Sequence, residues 1–111
     1  MYRFFLPILA VLLTVLPPTA SAAGEALAAV ASNFAKPVER LVADYGDRTG
    51  HRVRLSLGST GKLYSQIVHG GPFDLFLAAD HARPARLLAD GLAVAGSQST
   101  YALGRLVLVR A

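Results

Sequence analysis

Apolar and polar positions change their period along the chain, and the changes mark its elements. Ala26 to Ala31 (ALAAVA) is a short continuous apolar run, which predicts a buried central strand. In SNFAKPVERLVADYGDRTG, Val38, Leu41, Val42 and Tyr45 recur at i, i+3, i+4 and i+7, the stripe of an amphipathic helix. Pro37 has no amide hydrogen and fits only a first turn, so that helix starts near Phe34 to Lys36, with Gly46 and Gly50 closing it. His51 to Leu57 (HRVRLSL) alternates strictly, with Val53, Leu55 and Leu57 on one side and Arg52, Arg54 and Ser56 on the other. That is a strand with one wetter face.

Leu63, Tyr64, Ile67 and Val68 form a second helical stripe, stopped by Gly70-Gly71-Pro72. Phe73 to Ala79 (FDLFLAA) predicts another buried strand. Pro84 to Asp90 (PARLLAD) predicts a helix that opens on a proline and is followed by Gly91. Leu106 to Val109 (LVLV) predicts a last strand near the end of the chain. Strands alternating with helices imply an α/β fold: a mostly parallel sheet with helices on both faces.

The first residues do not belong to this pattern. Arg3 precedes the apolar run FFLPILAVLLTVL, and PPTASA follows with Ala20 and Ala22 flanking Ser21. A positive start, a short apolar run and a small-residue site describe a secretory signal peptide over residues 1–22, cut after Ala22. Phe4 to Leu16 is too short for a transmembrane span, which needs about 20 apolar residues. The expected mature part, residues 23–111, keeps ten Lys and Arg against seven Asp and Glu. This mild positive balance is unclustered and does not point to nucleic acid. There are no cysteines, which excludes disulfides, thiolate metal sites and thiol nucleophiles.

In a sheet of this kind, ligands bind beyond the carboxyl ends of the strands, where loops run into helix amino-termini. Ser32-Asn33 and Gly58-Ser59-Thr60-Gly61 occupy that position after the first and second expected strands. Both offer hydroxyl or amide groups beside unpaired helix amides, a setting that favours an anion. The same residue types are the preferred helix caps, so each loop also reads as ordinary capping. A nucleotide phosphate loop is excluded: Gly61-Lys62 is followed by Leu63, and Ser56 stands where the first glycine is needed. Lys62 offers a charge to neutralise an anion there, but its place on a first helical turn favours an orientation to solvent.

Catalytic constellations are thin. Ser59 lies in GSTG rather than the G-x-S-x-G of a nucleophile elbow. His51, His69 and His81 lack metal-ligand spacing. Asp74 and Asp80 flank one expected strand and stand roughly 20 Å apart, too far to pair. Asp80 reads as a turn former or cap before Pro84. Tyr101 has no assignable role.

The segments AVASNF, GSTGKLYSQI, GGPFDLFLAAD and YALGRLVLV, in this order and spacing, resemble the periplasmic molybdate-binding proteins of ABC transporters, within the type II solute-binding fold. The resemblance runs from about Ala26 to the end of the chain. It implies the first α/β lobe of a two-lobe periplasmic binding protein and the start of the crossover to a second lobe, so the chain reads as a truncated fragment. It implies an oxyanion, molybdate or tungstate, held by neutral donors: Ser32 and Asn33 from one loop, Ser59 and Thr60 from the other. No cofactor and no metal cation ligand are expected, the metal arriving as the oxyanion itself. The expected partner is a membrane permease, the expected location the periplasm, and the expected state a monomer and not an enzyme. The competing reading is an exported enzyme acting on a phosphorylated or anionic small substrate, with Asp80 or a histidine as base.

Overall fold

The computed structural model describes residues 23–110. The expected leader, residues 1–22, lies outside the described residues. The elements are β1 (Glu25–Ala31), a short 3-10 turn (Ser32–Phe34), α1 (Ala35–Thr49), β2 (Arg52–Gly58), α2 (Thr60–Val68), β3 (Leu75–Leu77) and α3 (Ala82–Ala89). The sheet order is β2-β1-β3, and both pairings are parallel. The chain therefore steps outward from β1 in one direction through α1, then crosses back over β1 through α2. Right-handed crossovers running in opposite directions put α1 and α2 on opposite faces.

Burial agrees with two covered faces. Ala28 and Val30 of β1 cluster with Val38 of α1, and Phe34, Val42, Val53, Leu55 and Leu77 pack against them. Ala29 and Ala31 alternate to the other face and are also buried. There Leu63 of α2, only 1% exposed, lies under the end of β2, with its branch 3.5 Å from where a side chain on Gly58 would begin. The run Ala28 to Ala31, three alanines and one valine buried on both sides, is what a central parallel strand requires.

Several expectations are refined. Pro37 does fall in the first turn of α1, but Gly46 lies inside the helix, and Gly50 alone closes it at φ 74°. That left-handed geometry is the one glycine adopts without cost. Val38 is buried, whereas Leu41 and Tyr45 lie largely in solvent, so only half of the helical stripe faces the sheet. Leu57 is likewise exposed, because it sits at the rim where β2 outruns the cover of α1.

The strand expected over Phe73 to Ala79 is only Leu75–Leu77. Its flanks spend their polar groups elsewhere. Phe73 N–H turns back to Gly71 O, while the Ala78 carbonyl and Ala79 N–H bond to Tyr101 and Thr60 side chains. Asp74 clamps the entry: its N–H donates to Leu27 O and its carboxylate accepts from Leu27 N–H, both at 2.8 Å. The helix expected from Pro84 begins at Ala82 and places Pro84 in its first turn. The strand expected at Leu106 to Val109 is a correction. Those residues have no ladder partner among the described residues and stand almost fully exposed, and an apolar run without a neighbouring strand has nothing to bond to.

Candidate functional site

The register of the sheet brings the two expected loops together. Ala31 pairs with Gly58, so Ser32 and Ser59 leave adjacent strands at the same level. Neighbouring strands lie roughly 4.8 Å apart, so the two loops leave the sheet about that far from each other. Both loops then enter helices whose first amides face the same edge.

The capping question resolves differently for the two loops. Ser59 is the N-cap of α2, its Oγ accepting from Lys62 N–H at 3.3 Å. Neither the 3-10 turn nor α1 has a side-chain cap, and Ser32 and Asn33 are exposed. Capping therefore accounts for Ser59 and leaves Ser32 and Asn33 without a structural role among the described residues. Thr60 is half-buried, and its Oγ1 accepts from Ala79 N–H at 3.0 Å.

A hydroxyl has one hydrogen to donate. Backbone N–H groups occupy the acceptor side of both Ser59 and Thr60, which leaves both hydrogens for a further acceptor. With Asn33 and the helix amides, the edge presents donors. Lys62 is exposed, as its first-turn position implies.

Asp80 and Arg83, which the sequence pattern did not connect with these loops, lie beside them. Asp80 Oδ1 accepts from Arg83 N–H at 3.0 Å, and its other oxygen pairs with the Arg83 guanidinium. From one residue ahead of the N-cap position His81, Asp80 thus fills the turn-forming or capping place before Pro84 that the residue type suggests. The Arg83 backbone N–H above all, helped by the guanidinium, holds the Asp80 carboxyl below its ordinary 3.8 despite slight desolvation. A carboxylate so held is a poor general base, which counts against the role given to it in the enzymatic reading.

The sign of its pH effect follows. A depressed folded-state pKa contributes stability above the ordinary carboxylate value, and that contribution is lost as pH falls through the folded-state value. Asp80→Asn is therefore expected to flatten stability below about pH 4, the ordinary carboxylate range, as read by urea midpoints across that range. An unchanged acid slope would place the effect elsewhere.

Asp74 and Asp80 sit before and after β3 and do not meet. His51 Nδ1 accepts from Gly24 N–H at 2.9 Å, His69 Nδ1 contacts Ser65 O at 2.7 Å, and the His81 carbonyl accepts from Gln98. No cluster of metal-ligating side chains forms among the described residues.

Tyr101 was unassigned by its neighbours because it lies in a segment without periodicity. Its hydroxyl donates to Ala78 O at 3.0 Å, and its ring packs on Phe34 with centroids 4.9 Å apart. Burial pushes its phenol pKa up from the ordinary 10.0. It thereby ties the exit of β3 to the turn that carries Ser32 and Asn33.

Comparison with known proteins agrees with this fold. Over 88 residues the chain is 48% identical to the molybdate-binding protein ModA of Rhodobacter capsulatus, covering 79% of this chain and 35% of that protein. Over 89 residues it is 48% identical to the ModA of Azotobacter vinelandii, covering 80% of this chain and 35% of the relative. The chain thus spans about a third of the length of these curated relatives.

Among solved structures, the Azotobacter vinelandii periplasmic molybdate-binding protein superposes with a TM-score of 0.67 at 39% identity, over 68% of this chain and 33% of that one. A substrate binding domain from Clostridium difficile, at 22% identity and a TM-score of 0.59 over 61% of this chain and 30% of its own, shares the fold. The family model for bacterial extracellular solute-binding proteins matches residues 26–110. With the parallel β2-β1-β3 sheet and its two loops at one edge, the chain belongs to the bacterial extracellular solute-binding protein family.

Proposed function

We propose that this chain supplies one wall of a site for molybdate or tungstate, captured outside the cytoplasm for delivery to the membrane permease of an ABC transporter. The observation that carries the reading is the pairing of Ala31 with Gly58, which sets Ser32-Asn33 beside Ser59-Thr60 at two helix starts. The relatives named above are binding proteins and not enzymes, and the Asp80–Arg83 pairing supports the same class.

The chemistry fits such an anion. A tetrahedral dianion offers only acceptors, and this edge offers hydroxyl, amide and backbone donors. An oxyanion that retains a proton would bring a hydrogen that this edge could receive only by turning a hydroxyl or the Asn33 amide away from donating, which is a penalty against that competitor. The nearest carboxylate, Asp80, is already paired with Arg83.

The test is a titration of the isotope-labelled chain with sodium molybdate, followed by amide chemical shifts, with chloride at matched ionic strength as control. Shifts are expected at Ser32, Asn33, Ser59, Thr60 and Gly61. Donors from one edge leave the far oxygens of the anion hydrated. Net contacts worth about 4 kcal/mol place the midpoint on the order of millimolar. Shifts absent from both loops would overturn the reading. A micromolar midpoint would mean that further donors, such as those of a second copy, complete the site.

A further inference from the structure

Thr60, Asp80 and Arg83 connect the first turn of α2 to the start of α3, and the connection lies directly behind the second loop. Thr60 Oγ1 receives Ala79 N–H, and Asp80 holds Arg83 through both its backbone N–H and its guanidinium. The guanidinium then lies across Gly61. A side chain begun at Gly61 would meet Arg83 Nη2 at 3.3 Å, Cζ at 3.7 Å and Nε at 3.8 Å. The planar end of Arg83 thus rests against the open side of the glycine that follows Ser59 and Thr60.

We infer that Arg83, oriented by Asp80, is a positioning residue that sets the angle of the first turn of α2 and so the aim of the Ser59 and Thr60 donors. The inference rests on the oxyanion reading of those donors. Arg83 does not need to touch the anion: Asp80 holds its backbone N–H and one guanidinium nitrogen, and the guanidinium so placed offers a flat surface, which a lysine ammonium does not. Gly61 is the counterpart of this contact: a side chain there would press on the guanidinium, which would have to give way by a few tenths of an ångström.

The experiment uses the molybdate titration on three variants of the chain, read at both loops, beside their thermal midpoints. In metal sites, removal of outer partners that orient the ligands costs about 10–100-fold in affinity, and the lower end of that range is expected for this anion edge. Arg83→Ala is expected to weaken the molybdate midpoint by about tenfold, with the response lost first at Ser59 and Thr60. Arg83→Lys is expected to behave like Arg83→Ala. Gly61→Ala keeps Arg83 and Asp80 but displaces the fork, and alanine favours the helix. It is expected to retain or raise the thermal midpoint while weakening the anion response, a split that a purely structural contact would not give.

Recovery of the native midpoint in Arg83→Lys would show that charge alone acts, and would overturn the positioning role. So would native midpoints in Arg83→Ala or Gly61→Ala. If Arg83→Ala fails to fold, Gly61→Ala still decides. A native chain without response at either loop would instead refute the oxyanion reading itself.

Discussion

Truncating Leu63 to alanine is expected to destabilise the chain by roughly 2–5 kcal/mol, the range for emptying a well-packed leucine site. Leu63 is the buried residue of α2 and, with Val30, one of the largest fully buried side chains. The face it fills is otherwise lined by alanines of β1, which have no length with which to close the gap. The residue also lies beneath Gly58, so the cavity would open under the loop that carries Ser59. Urea unfolding followed by circular dichroism measures the cost, and amide exchange at Thr60 to Lys62 measures the loosening. A loss below about 1 kcal/mol would mean that α2 settles into the gap, and the site would then be expected to move with it.

The second large effect is expected from Ser59→Ala combined with Thr60→Ala. Each removes a hydroxyl that a backbone N–H has already turned into a donor. A hydrogen bond to a charged group contributes roughly 1.5–3 kcal/mol, so affinity should fall tenfold or more. The double variant also loses the cap of α2 and leaves Ala79 N–H without its acceptor, so its thermal midpoint should fall modestly. Lys62→Ala is the control and should leave the molybdate midpoint nearly unchanged, because its side chain is exposed. An unchanged midpoint in the double variant would assign the contacts to the backbone amides alone.

The parts legible in the sequence were those governed by short-range rules. The run Ala26 to Ala31 and the alternation of His51 to Leu57 marked β1 and β2, and Pro37 fixed the start of α1 to within a turn. The loops bearing Ser32, Asn33, Ser59 and Thr60 were legible as neighbours because consecutive βα units in a doubly wound sheet put their loops on one edge.

The rest depends on contacts between distant residues. The shortening of β3 follows from Tyr101 and Thr60 capturing its exit, and no local pattern announces such partners. Leu106 to Val109 reads locally as a strand, yet a strand exists only with a neighbour to pair with. Asp80 and Arg83 were visible only as a cap and a solvated charge; that Arg83 leans on Gly61 follows from how α3 returns over α2.

The pairing of Ala31 with Gly58 has one more consequence. The gap between the points where the two donor loops leave the sheet is the width of one rung of the backbone ladder, a length that hydrogen bonding between main chains dictates and side-chain substitution scarcely alters. On this side, then, the chain carries a ruler that point mutation cannot rescale. Preference between oxyanions of different radius would have to evolve in the loops, through which donors turn inward and how far, while the ruler itself stays the same.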